Sequence, residues 1–207
     1  MKQDIHIIKT KEGKDKNAGK DKICVFCHFD GEGIIAEHVL HYLTDLSVNC
    51  GYEVIFVSNS ENLTDVEIVK IEHLVSKIII RKNIGYDFAA YFSGFISITE
   101  KDKYKNILFA NDSVYGPFYS LKKIFNEMEN KADCWGIMDH IYPQIYIQSY
   151  FLVFNNSCYD LLDKFFENFE YISDKEAVIQ RYEIGLSSFL TKNGRCLKAY
   201  CEHAEMI

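Results

Sequence analysis

The sequence predicts an α/β fold in which helices flank a mixed, mostly parallel sheet. Three observations carry this prediction. Short apolar runs alternate with stretches of helical period, polar loops close each run, and 48% of the 207 residues are apolar, enough for one substantial core. Alternation of this kind builds parallel βαβ units with right-handed crossovers, and such sheets bind ligands at the carboxyl ends of their strands.

Ile23-Cys-Val-Phe-Cys-His-Phe29 is an apolar run closed by Asp30-Gly31, a buried strand entering a turn. Ile35, Val39, Leu43 and Leu46 then fall at helical spacing, and Gly51 stops the helix before a second strand, Val54 to Val57. Thr64 and Glu67 carry a capping-box signature, Ile68, Ile71 and Val75 continue the stripe, and Ile78 to Ile80 form the third strand. Asp87 caps a helix running through Phe92, and Ile107 to Ala110 is the fourth buried strand. Leu121, Ile124, Phe125 and Met128 make an i, i+3, i+4, i+7 helical set. Past Trp135 the rhythm changes, because Cys134 to Met138 and Ser149 to Phe154 read as strands with no helix between them, which makes the sheet mixed. Two helices follow, one with Leu161, Leu162, Phe165, Phe166 and Phe169, the other opening on Ser173 and Glu176 as a second capping box. Cys196 to Tyr200 is a last short strand.

Residues 1–22 carry seven lysines against four carboxylates, leaving this segment at about +3 and the remainder at about −10. With Gly13 and Gly19 inside Lys9 to Lys22, the segment is expected to be a flexible Lys-rich arm ahead of one domain over 23–207. The arm is suited to peripheral contact with an anionic membrane surface, although a solvated leader is the plainer reading. The net charge of −7 argues against a non-specific nucleic-acid binder, which needs a basic surface to displace counterions. No apolar run reaches the roughly 18 to 20 residues that cross a bilayer, and no signal-peptide pattern opens the chain, so a cytoplasmic location is expected. Seven cysteines, several of them in apolar segments, argue for buried free thiols. In a strand Cys24 and Cys27 point to opposite faces, which excludes them as a metal-binding pair.

The strand ends bring together Asp30, Ser58-Asn59, Asn83 to Asp87 and Asn111-Asp112. Asn111-Asp112-Ser113 offers an amide, a carboxylate and a hydroxyl directly after a buried strand, the oxygen chemistry that holds a divalent cation against a diphosphate. An Asx-turn redirected by Gly116-Pro117 explains the same residues equally well. Arg81 to Asp87 can bring a guanidinium, Asn83, Gly85 and backbone amides toward phosphates while Asp87 holds a base or ribose. Alternatively, Asp87 serves only as an N-cap worth about 1 kcal/mol. Glu183 lies in a helical segment with Gly185 beside it and suits a general base, a solvated helix face being the commoner role of a lone glutamate. His140 and His203 have metal-ligand chemistry, against a background of seven histidines.

Taken in order, His28-Phe-Asp30, Ser58-Asn59-Ser60, Asn83-Ile-Gly85-Tyr-Asp87, Asn111-Asp112-Ser113-Val-Tyr-Gly116-Pro117, Asp133-Cys-Trp135-Gly136 and Gln148-Ser-Tyr-Phe151 resemble the rhamnan synthesis protein F family from Ile23 onward. The resemblance implies a GT-A-like, Rossmann-type fold and a glycosyltransferase of surface polysaccharide or lipopolysaccharide synthesis. Its expected donor is a nucleotide sugar such as dTDP-rhamnose, and its acceptor a glycan or lipid-linked glycan. The donor pocket expected from the strand-end residues comprises His28, Asp30, Asn59, Arg81, Asn83, Gly85, Asp87, Asn111, Asp112, Ser113 and Gln148, and the resemblance implies Asp87 in that pocket and Asp112 at the metal-binding carboxylate. A divalent cation, Mn or Mg, would sit on Asp112 with His203, and Glu183 is expected as the base of an inverting transfer. The contrasting reading is a non-catalytic module that binds a nucleotide sugar or glycan. Work at the inner face of the membrane would accompany the lipid-linked acceptor.

Overall fold

A computed structural model describes residues 4–15 and 19–202. Nine strands form one sheet among the described residues: β1 (Ile7–Glu12), β2 (Lys22–His28), β3 (Glu53–Ser58), β4 (Lys77–Arg81), β5 (Asn106–Asn111), β6 (Cys134–His140), β7 (Tyr146–Ile147), β8 (Phe151–Asn155) and β9 (Leu197–Cys201). The helices are α1 (Glu37–Thr44), α2 (Asp65–Ile71), α3 (Tyr86–Ile96), α4 (Lys122–Met128), α5 (Tyr159–Glu167), α6 (Lys175–Val178) and α7 (Gly185–Lys192). Wide π turns extend α1 over Asp45–Asn49 and join α6 to α7 over Ile179–Ile184.

The sheet order is β1-β4-β3-β2-β5-β8-β6-β7, with β9 beside β6. Strands β4, β3, β2 and β5 run parallel. β8 runs antiparallel to both β5 and β6, so the sheet is mixed where the helical rhythm of the sequence breaks. Alternate residues along each strand serve two different cores. Val25 and Cys27 face α3, α5 and α7, whereas Cys24 and Phe26 face α1, α2 and α4. The two cysteines of the CxxC spacing thus lie in separate cores, as the period of two requires.

The N-terminal segment departs from the expected flexible arm. Ile7–Glu12 pairs antiparallel with β4 as an edge strand, and Asp4, only 2% exposed, is buried ahead of it. Adjacent Ile7 and Ile8 followed by Lys9-Thr-Lys11 make a run too short and too charged to read as a strand. The pairing becomes favourable because β4 presents an unsatisfied edge, and a lysine-rich strand is a suitable cover for it. Capping differs as well. Thr64 does accept the Glu67 N–H, but the Glu67 carboxylate reaches across to the Ile35 N–H and Lys70, while α6 is capped by Asp174 accepting from the Ala177 N–H rather than by Ser173.

Gly136 lies where β6 crosses β7 and β8. A Cβ there would stand 2.2 Å from Ile147 Cγ2 and 2.5 Å from the Phe151 carbonyl oxygen, and the carbonyl is fixed by the sheet. Gly136→Ala is therefore expected to cost about 1–3 kcal/mol of overpacking, read as a lower urea midpoint at unchanged m-value.

Candidate functional site

From β2 the chain steps to β3 and β4 on one side, then returns to β5 on the other side of β2. The chain thus leaves β2 in one direction and reaches β5 by a crossover to its other side, and the carboxyl ends of these neighbouring strands border a crevice, where ligands of such sheets bind. A cleft of about 650 Å³ occupies this place, lined by Asn59, Asn83, Asp87, Asn111, Asp112, Ser113, Gln148 and Glu183. Its size lies in the range of small-molecule sites, roughly 300–1,000 Å³.

Asp112 is fastened across the crevice. Its Oδ2 accepts the Phe29 N–H at 3.2 Å, joining the end of β5 to the end of β2. Burial pushes its carboxyl up to about 7, against the lowering effect of that hydrogen bond and with nearby Asp30 adding to the rise. The Asn111 amide oxygen accepts from the Ser113 N–H at 3.1 Å and from its hydroxyl at 2.6 Å, so an Asx-turn does form and it presents Asp112 to the cleft. The turn and the site, alternatives in the sequence, are one structure.

Asp87 lies inside the first turn of α3, whose N-cap is Gly85 at φ 85°; a Cβ on Gly85 would meet the Ala89 Cβ at 2.7 Å. Asp87 Oδ1 accepts the Phe88 N–H at 3.0 Å, and its Oδ2 faces the cleft, accepting from the Ser149 hydroxyl at 3.0 Å and more distantly from the Asn111 amide at 3.4 Å. Ser149 in turn donates its N–H to Glu183 Oε1 at 2.6 Å. Two carboxyls from α3 and from the π turn before α7 are thus joined through one serine. Burial raises both, and for Glu183 the nearby Asp87 charge adds to the rise. The π turn, a geometry frequent at functional sites, delivers Glu183 to the cleft. Gly185 is not a point of close approach, since an added Cβ would meet only the Gln180 carbonyl, at 3.4 Å.

Four of the predicted donor residues stand behind the lining. Arg81 is fully buried and does not reach the cleft; its Nε donates to Asp4 Oδ2 and its Nη1 to Asn59 Oδ1, each at 2.9 Å. The free guanidinium expected from the sequence is consumed by a partner 77 residues away. Asn59, held by Arg81, donates to the Tyr86 carbonyl at 3.1 Å and lines the cleft. His28 is buried, and burial lowers its ring to about 4, so it is neutral at pH 7. Its Nε2–H donates to the Ile34 carbonyl and its Nδ1 accepts from Ser58, so the 3.9 Å approach to Asp112 is a contact of a neutral ring. Asp30 organises its own turn through the Glu32 and Ile34 N–H groups, and Gly85 shapes the start of α3. His203 lies outside the described residues.

The structure adds Ser149, Tyr86, Tyr146 and Lys175 to the lining. Lys175, at the start of α6, contributes the positive charge that Arg81 does not. No sequence pattern marks it, because it arrives from 63 residues beyond Asp112. Among the described residues, no group of three or more His, Cys, Asp or Glu side chains is gathered around a common centre. The donor chemistry that fits a divalent cation is the desolvated Asp112 carboxyl, as a single protein ligand of the kind that magnesium sites complete with phosphate and water. No helix among the described residues is long and apolar enough to cross a membrane.

Residues 54–206 match the family described as rhamnan synthesis protein F. No curated protein is similar in sequence at the level that marks a relative. Among solved structures, 4-diphosphocytidyl-2C-methyl-D-erythritol synthase from Anaerococcus prevotii superposes with a TM-score of 0.51 at 13% identity, covering 88% of this chain and 87% of that one. The bifunctional IspDF of Campylobacter jejuni gives 0.48 at 11% identity, over 84% of this chain and 48% of that one. The glycosyltransferase GlyE of Streptococcus pneumoniae gives 0.43 at 16% identity, over 87% and 46%. This chain therefore spans about half the length of the last two, and the first likeness bears on the fold alone.

Proposed function

Because the chain belongs to the rhamnan synthesis protein F family, we propose that it is a glycosyltransferase with a GT-A-like site, moving a sugar from a nucleotide-sugar donor to a glycan or lipid-linked glycan. The observation that carries this reading is the cleft at the strand-order switch, where the half-buried carboxyls of Asp112, Asp87 and Glu183 converge with Lys175. Rhamnose, carried as a dTDP-sugar, is the donor sugar the family name favours, and surface polysaccharide or lipopolysaccharide the product. The work belongs in the cytoplasm, at the inner membrane face where the acceptor is lipid-linked.

In the transfer the acceptor hydroxyl oxygen bonds to the anomeric carbon. The bond from that carbon to the diphosphate oxygen breaks, and its electron pair leaves with the nucleoside diphosphate. Glu183 takes the acceptor proton. Burial raises its affinity for protons, which makes it a better proton acceptor than a solvated carboxylate. The Ser149 N–H holds one Glu183 oxygen and leaves the carboxylate oriented, while Asn83 and Gln148 offer amides to ribose, base or sugar hydroxyls. Lys175 is placed to offset negative charge on the departing diphosphate. A divalent cation held by Asp112 would supply further charge neutralisation there.

Nucleotide sugars titrated with and without manganese, followed by an assay for nucleoside diphosphate release with oligosaccharide acceptors, test the reading. Tight donor binding with no transfer would instead leave a non-catalytic nucleotide-sugar module. Glu183→Gln is expected to lower turnover by about 10² to 10⁴ while donor affinity changes little, the separation expected of a proton acceptor. Loss of donor binding with unchanged single-turnover rate would remove Glu183 from that role.

A further inference from the structure

A second concavity of about 720 Å³ lies beside the cleft and has a different chemistry. Tyr150 lines both, and the segment leaving β5 passes from one into the other: Asp112 and Ser113 line the cleft, and Val114 and Tyr115 line the groove. The groove is walled by tyrosine and phenylalanine rings from Tyr42, Tyr115, Phe118, Tyr119, Tyr150 and Tyr200, and has no carboxylate in its lining. Tyr115, Phe118 and Tyr119 are 77%, 85% and 90% exposed, a concentration of rings on one loop that marks a surface made to be covered.

The loop is braced. His41 Nε2 donates to the Pro117 carbonyl at 2.8 Å, and the His38 ring lies 4.6 Å from that of Tyr115, fixing residues 115–117 against α1. At the base, Tyr42 is almost wholly buried and Tyr150 half-buried, so their rings form the floor of the groove beneath the exposed loop. Tyrosine rings, each with an apolar face and a hydroxyl edge, match a pyranose, which has C–H faces and a rim of hydroxyls. A phosphate finds only Lys123 there, and a purely hydrocarbon chain would leave the tyrosine hydroxyls unanswered.

We propose that this groove is the acceptor subsite, binding a neutral saccharide chain by stacking on Tyr115, Phe118 and Tyr119 so that its end reaches the cleft past Tyr150. The proposal rests on the glycosyltransferase reading for its name, but the groove's affinity for saccharide can be measured without a donor. A neutral rhamnose oligosaccharide is titrated into the wild type, a Phe118→Ala/Tyr119→Ala double variant and a Val66→Ser control, whose site on α2 is exposed and lines neither concavity. The double variant is expected to bind about tenfold or more weakly, with the control unchanged. Saturation transfer from tyrosine ring protons to the oligosaccharide in the wild type supplies a readout that survives if the variant does not fold.

Equal saccharide affinity in the double variant, or no ring-to-sugar transfer, overturns the proposal. So does binding to phospholipid vesicles, or self-association, that is lost in the double variant while saccharide fails to bind. Failure of nucleotide-sugar binding in the wild type, measured separately, would count against the donor cleft and leave a saccharide groove standing.

Discussion

Asp112→Asn is expected to stabilise the protein at pH 8 by up to about 4 kcal/mol while cutting donor turnover by about a hundredfold or more. The stability gain follows from linkage. Burial raises the folded-state carboxyl from 3.8 to about 7, so between these values the native state holds a proton that the unfolded chain has released. Stability contributed by the protonated form is complete below about pH 4 and is lost as pH rises to 7, above which the folded protein carries a desolvated charge. Asparagine keeps the acceptor for the Phe29 N–H and removes that charge. Urea titrations of wild type and variant at pH 4 and pH 8 should therefore agree at the lower pH and diverge at the higher. A variant less stable than wild type at pH 8 would mean that the native carboxylate is well partnered, contrary to this account. A site that costs stability when empty and regains it with a cation or ligand is the usual stability–activity exchange.

Asp4→Ala has the largest expected cost, about 3–5 kcal/mol, because it leaves the fully buried Arg81 charge without its counterion. Asp4 also accepts from the His6 N–H, from the Tyr171 hydroxyl and from Ser93. Burial alone would raise its carboxyl, but these donors and the Arg81 charge together hold it below the usual range. Its stabilisation is therefore present above about pH 4 and is lost as pH falls through the lowered value. The double variant Asp4→Leu/Arg81→Met should recover much of the single variant's loss, since it removes the stranded charge as well as the pair. A loss under about 1 kcal/mol for Asp4→Ala would show that Arg81 finds water instead. Because Arg81 also holds Asn59, the single variant should weaken donor binding, linking the N-terminal segment to the cleft through one side chain.

Much of the fold was legible from periodicity. The four parallel strands and the helices between them follow from apolar runs and stripes whose meaning depends on neighbours in sequence. The edge strand β1 did not, since its lysines deny it an apolar face and only the exposed edge of β4 gives it a partner. The two-residue β7 is too short to carry a pattern and exists through Asp139 and His140 opposite it.

For the site, the sequence by itself determined that Asn59, Asn83, Asp87, Asn111 and Asp112 stand at strand ends, because a buried strand must be followed by polar turn residues on the side where the sheet meets solvent. Tertiary structure alone decided which of those polar residues face the cleft. It turned Arg81 away to neutralise Asp4, made His28 a buried neutral ring, and brought Ser149, Lys175 and Glu183 across from distant helices and loops. The physical reason is the range of the forces involved. Hydrophobic period and turn chemistry act over a few residues, whereas a buried charge must find its partner wherever the fold places one. Asn111-Asp112-Ser113 meets both conditions: its Asx-turn is local, and the desolvation that lifts the Asp112 carboxyl to about 7 comes from the closure of β2 against β5.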